Sequence, residues 1–133
     1  MQELTIHGWD IRSAFDNTAT LSVSSLPWLV PSVQRWLTNA FRPVPELRGS
    51  VRYRLETSEP LTLQQDIVVS QEGVRLETAT ASPADVTFCG TTGDTFLLIY
   101  GRLALERARE AGRVEIHGEP AQAALFPRLF QGF

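Results

Sequence analysis

At 133 residues the chain has the size of one domain, and 43% hydrophobic against 20% charged residues fits an ordinary soluble globule. A net charge of −3 excludes the strongly basic composition of a nucleic-acid binder, because phosphate neutralisation needs a positive excess on one face. The single cysteine, Cys89, excludes an internal disulfide and fits a reducing compartment, and cytoplasmic location is the expectation. No apolar run approaches the roughly 20 residues of a membrane span. The first ten residues, MQELTIHGWD, lack the basic start and apolar core of a signal peptide.

Residues 2–16 read as a helix, with Leu4, Ile11 and Phe15 near helical spacing and Asp16-Asn17 as its end. A small, polar linker follows, with Ser24 and Ser25 as candidate N-caps. Pro27 and Pro31 stand too close for one helix to run through both, which leaves a short turn at Trp28. The main helix is expected over 32–41, where Val33, Trp36, Leu37, Ala40 and Phe41 make an apolar face. Pro43 and Pro45 stop it.

Strands follow. Val51, Tyr53 and Leu55 alternate with Arg52, Arg54 and Glu56, which predicts a strand with one wet face. A second strand is expected over 61–70, with a phase shift at Gln64-Gln65-Asp66 that suggests a bulge. Gly73 marks a hairpin turn into a third strand bearing Val74, Leu76 and Thr78. Residues 85–90 read as the fourth strand. Residues 93–102 form a helix apolar nearly all round, which must be covered on most sides. Residues 105–112 form a short helix ending at Gly112. Val114 and Ile116 point inward from a fifth strand. A last helix begins at Pro120 and should kink or split at Pro127. These elements sum to an α+β fold: about five strands, mostly antiparallel, with helices packed on one face.

No complete catalytic constellation is present. Cys89, with no neighbouring histidine in sequence, reads as a buried structural thiol. His117-Gly118-Glu119 reads as a strand-end turn, with Glu119 near the start of the last helix. Gly90 to Gly93 lacks the lysine of a phosphate loop and reads as a turn. Arg52, Arg54 and Arg75 read as a solvated face paired with Glu56 and Glu77.

Two motifs carry a resemblance. Asp85–Phe88, Gly93–Leu103, Val114–Glu119 and Leu125–Phe130 resemble the C-terminal half of a sterol-carrier-protein-2-like domain. Glu3-Leu-Thr-Ile-His7-Gly-Trp9-Asp10 is similar to the last helix of the DinB-like metal-binding bundle of the mycothiol-dependent maleylpyruvate isomerase family. That family joins the two parts in the order seen here. The resemblance divides the chain into residues 1–22, a helix and linker left from a metal-binding bundle, and residues 23–133, a sterol-carrier-like domain.

The resemblance implies that Glu3 and His7 are metal ligands, four residues apart on one helical face. The family's third ligand is a histidine on an earlier helix, which this sequence is expected to lack. Two ligands do not make a selective site, so no cofactor is expected, and zinc only where a partner chain completes the set. Between sheet and helices the resembling lipid carriers hold an acyl chain or sterol. Phe88, Phe96, Leu97, Tyr100, Phe126, Leu129 and Phe130 are the residues that would line such a cavity here, or else fill a solid core. The expected function is a non-enzymatic sterol-carrier-like domain that binds a hydrophobic small molecule or serves as an interaction module. The alternative is one part of a mycothiol-dependent isomerase or transferase. Apolar surface on the first helix makes a homodimer an expectation as well.

Overall fold

The computed structural model describes residues 32–59, 61–79 and 82–130. The expected helix over 2–16, with Glu3 and His7, and the division at residue 22 lie outside the described residues.

Helix α1 spans Val33–Ala40. Its spacing turns Val33, Trp36, Leu37 and Ala40 into the core, as the apolar periodicity demands. On its flank Gln34 accepts the Leu76 N–H at 3.0 Å. A helix side chain thus satisfies a donor on the sheet edge that would otherwise stand unpaired.

Five strands follow: β1 (Val51–Thr57), β2 (Gln64–Ser70), β3 (Gly73–Thr78), β4 (Val86–Gly90) and β5 (Val114–Gly118). They form one sheet in the order β3-β2-β1-β4-β5. Pairing is antiparallel except between β1 and β4, which run parallel. The strict alternation in β1 appears as alternating burial, with Val51, Tyr53 and Leu55 facing inward.

The bulge expected at Gln64–Asp66 is absent. Register runs without interruption from Val51↔Val69 to Glu56↔Gln64, and equally from Gln65↔Thr78 to Ser70↔Gly73 on the other side. The phase does not shift, because Asp66 and Val68 are buried on the outer face rather than the inner one. The strand also begins at Gln64, not at residue 61. Leu61 is instead tied to the next helix, its N–H donating to Thr92 Oγ1 and its carbonyl accepting from the same hydroxyl.

Helix α2 spans Thr92–Ile99, α3 Leu105–Glu110 and α4 Pro120–Leu129. Thr91 caps α2 by accepting the Asp94 N–H. Its end is closed by Gly101 at φ +72°, where the Gly101 and Arg102 N–H groups bond the Leu98 and Leu97 carbonyls. Every residue of α2 but Asp94 is buried, so the nearly all-round apolar pattern does mark a central helix. Helix α4 is not split at Pro127 but continues to Leu129. Pro127 is exposed, and it removes only its own bond to the Ala123 carbonyl, so the helix carries on beyond it.

The four helices and the inward side chains of the sheet share one core. It includes Leu37, Tyr53, Ile67, Phe88, Leu97, Ile99, Phe126 and Leu129, each almost wholly shielded from solvent. Among the described residues, the helices lie on this one face of the sheet.

Candidate functional site

The inner face of the sheet does not close completely against the helices. A cavity of about 90 Å³ lies between α1, α2 and the first three strands. Val33 comes from α1, Leu55 and Thr57 from β1, Leu63 from the residue just before β2, Gln65 from β2, Leu76 from β3 and Phe96 from α2. Period-two geometry explains the set: odd-numbered residues of β1 and β2 point inward together.

The wall beside Leu63 is held firmly. Thr57 Oγ1 donates to the Leu61 carbonyl and accepts the Leu63 N–H at 2.8 Å. The Thr57 N–H reaches the Leu63 carbonyl at 3.0 Å, and the Thr92 N–H reaches the Glu59 carbonyl at 2.9 Å. The loop between β1 and β2 is thereby anchored to the N-terminus of α2.

A second cavity, of about 250 Å³, lies away from the sheet. Leu98, Gly101, Leu103, Ala104 and Leu105 from the α2–α3 connection face Phe126, Pro127 and Phe130 across it.

The seven aromatic and leucine candidates separate into groups. Phe96 lines the first cavity, and Phe126 and Phe130 line the second. Phe88, Leu97, Tyr100 and Leu129 are buried in the core and line neither. Phe88 and Phe126 meet edge to face at 5.0 Å, and Phe126 meets Phe130 at 4.9 Å, so the three rings form one aromatic cluster. Tyr100 packs edge-on against Trp36 at 4.8 Å.

Gln65 is the residue that sequence reading missed. The glutamine pair and Asp66 suggested a bulge, so its direction was lost. Counting back by twos from Ile67 would have placed it on the inner face. Its half-buried side chain is the one polar group of the first cavity's described lining without a hydrogen bond among the described residues.

The outer face of the sheet carries a different chemistry. Asp66, fully buried, accepts from Arg52 at 2.8 Å and from Arg54 at 2.9 Å. Burial pushes its carboxyl upward, but the hydrogen bonds from Arg54 and Arg52 outweigh this and hold it below the usual aspartate range. Glu77 joins through Arg52 at 3.0 Å and Arg75 at 2.6 Å. The expected arginine–glutamate pairing is therefore present at Glu77, organised around a buried aspartate rather than freely solvated.

Cys89 is half-buried on this outer face, not in the core, because strand alternation turns it away from Phe88. It sits in one row with Glu56 and Glu115 on the neighbouring strands. Burial, together with the charges of Glu56 and Glu115, pushes its thiol up to about 11. His117 is exposed, its ring 3.3 Å from Glu115. Among the described residues no group of three histidine, cysteine or acidic side chains is placed to hold a metal ion. No helix among them is long and apolar enough to cross a membrane.

The fold has solved counterparts. The ubiquinone synthesis protein UbiJ-SCP2 superposes with a TM-score of 0.61 at 19% identity, covering 77% of this chain and 93% of that one. Sterol Carrier Protein 2 Like 2 from Aedes aegypti gives 0.52 at 15% identity, covering 80% and 97%. A double mutant of the sec-alkyl sulfatase PisA1 gives 0.59 at 18% identity, but this chain spans only 15% of that enzyme's length against 73% of its own. At such identities these likenesses show the fold alone. No curated protein matches the sequence. The profile of the SCP-2 sterol transfer family matches residues 42–131, more than half of the chain and all five strands. The protein belongs to the SCP-2 sterol transfer family.

Proposed function

We propose that this domain binds a hydrophobic small molecule on the inner face of its sheet and has no catalytic chemistry of its own. The observation that carries the reading is the cavity beside Phe96, whose described lining is apolar except for Thr57 and Gln65, in a member of a sterol transfer family. Thr57 already spends its donor on the Leu61 carbonyl and accepts the Leu63 N–H, so burial of an apolar chain is the main gain the space offers. Titration of the delipidated protein with a fluorescent acyl-chain probe tests this. Saturable binding is expected, and a Leu76→Trp variant that fills the space should lose it. A native protein without saturable binding, or a filled variant with undiminished binding, overturns the reading.

A second reading makes the chain one part of a mycothiol-dependent metal enzyme and rests on the Glu3–His7 spacing. Among the described residues no group of three histidine, cysteine or acidic side chains is placed to hold a metal ion by itself. On this reading another chain, a second copy or a different protein, supplies the remaining ligands. Stoichiometric zinc in the purified protein, lost in His7→Ala, supports it, and zinc at background level in the native protein removes it.

A further inference from the structure

We infer that Gln65 selects the polar end of the ligand, and that this end is neutral: a hydroxyl or an ester or amide carbonyl rather than a carboxylate. The inference rests on the ligand-binding reading above and specifies the chemistry of the same cavity.

Three observations converge on it. Gln65 stands on the inner face, paired with Leu55 and Thr78 in unbroken register, and lines the cavity. Its amide makes no hydrogen bond among the described residues, whereas Gln34 is occupied with Leu76 and Thr38, and Thr57 with the β1–β2 loop. The described lining contains no charged side chain.

The physical consequence follows from the amide itself. It carries two N–H donors and one acceptor oxygen, all of which water can satisfy while the cavity is open. An apolar ligand that displaces this water leaves the amide without partners, which carries the cost of a buried polar group. A hydroxyl both donates and accepts, so it replaces the lost water bonds in kind. An ester or amide carbonyl accepts from the N–H groups. A carboxylate also accepts, but its charge would leave water for an apolar wall with no cation to offset it.

Calorimetric titration with decanol and decanoate at pH 8 tests the assignment. The native protein should bind decanol more tightly. Gln65→Leu should weaken decanol binding by about fivefold to tenfold, the equivalent of one net hydrogen bond. Gln65→Arg should reverse the preference by supplying the missing cation. The decanoate titration is the folding control: loss of the hydrogen bond lowers the ratio of decanol to decanoate affinity, whereas a misfolded variant weakens both together. Native preference for decanoate at pH 8, or a Gln65→Leu protein with an unchanged decanol affinity, overturns the polar-end assignment alone. A native protein that binds neither molecule overturns the ligand-binding reading with it.

Discussion

Tyr53 donates its hydroxyl hydrogen to the Gln122 carbonyl at 2.7 Å and so ties the centre of the sheet to the last helix. The ring is fully buried, stacked on Phe88 at 6.0 Å and edge-on to Phe126 at 5.0 Å. Burial raises the hydroxyl's pKa well above its ordinary value, so it remains a donor at any neutral pH. Tyr53→Phe keeps the ring packing but leaves the Gln122 carbonyl with its helical partner alone and unties sheet from helix. Urea unfolding should show a loss of about 1–2 kcal/mol with an unchanged slope.

Tyr100 presents the opposite case. Its ring packs on Trp36, but its buried hydroxyl has no hydrogen-bond partner among the described residues. Burial raises its pKa too, without any compensating bond. Removing an unsatisfied hydroxyl removes a desolvation cost. Tyr100→Phe is therefore expected to be stabilising by up to about 1 kcal/mol. The same urea experiment checks it, and the contrast in sign with Tyr53→Phe is the informative result.

Asp66 sets the acid limit of the sheet. Its folded pKa is depressed, so its contribution is present at neutral pH and lost as pH falls through the folded value. Stability should begin to decline below about pH 4, where unfolded aspartate takes up its proton. Asp66→Asn should cost about 2 kcal/mol at pH 7, less than is usual for a broken buried pair. Arg52 keeps Glu77 and Arg54 keeps the Ser82 carbonyl, and neither guanidinium is completely buried, so neither is left wholly without partners. Thermal melts from pH 3 to pH 7 should show a flatter acid limb in the variant.

The elements that sequence made legible are those with one strong period. Val51, Tyr53 and Leu55 announced β1, and Val33, Trp36, Leu37 and Ala40 announced α1, because each pattern has a single hydrophobic face. The shape of β2 was not legible for a definite reason. Ile67, Val68 and Val69 are all buried, on both faces, since Asp66 and its arginines cover Val68's side. A strand shielded on two sides loses its alternation, and the polar residue that lines the cavity was hidden in the apparent break. Cys89 was misplaced by hydrophobicity alone, where counting from Phe88 turns it outward. The split expected at Pro127 does not occur, because a proline removes only its own bond to the carbonyl four residues back and leaves the later bonds of the helix in place. Cavities arise from how side chains from five elements meet, and no local pattern encodes that.

Gly118 closes β5 against β4 with φ +115°, and a Cβ built there would sit 2.1 Å from the Asp85 carbonyl oxygen. That carbonyl accepts the Glu119 N–H at 3.1 Å, and the Asp85 carboxylate accepts the Arg52 N–H at 2.7 Å. The strand end cannot yield without loosening both. Gly118→Ala should therefore cost about 3 kcal/mol or more, from the steric clash and the backbone strain together. Gly49→Ala, at φ +62° in open space, should cost only about 1 kcal/mol. Comparing the two melting temperatures separates steric closure from backbone preference.

Cys89 should be a slow thiol. Its pKa, raised to about 11 by burial and by the nearby Glu56 and Glu115, leaves almost no thiolate at pH 7.5. The Sγ–H also donates to Glu56 Oε2 at 3.6 Å, which favours the protonated form further. Alkylation by iodoacetamide should therefore proceed at least tenfold more slowly than for a free cysteine, whose pKa is about 8.5. Raising the pH towards 10 should accelerate it steeply. Glu56→Gln removes both the charge and the best acceptor, so its rate at pH 7.5 should rise severalfold. Burial of the thiol is left unchanged by that substitution. A native rate equal to that of free cysteine would mean that neither the sheet nor its two glutamates governs this thiol.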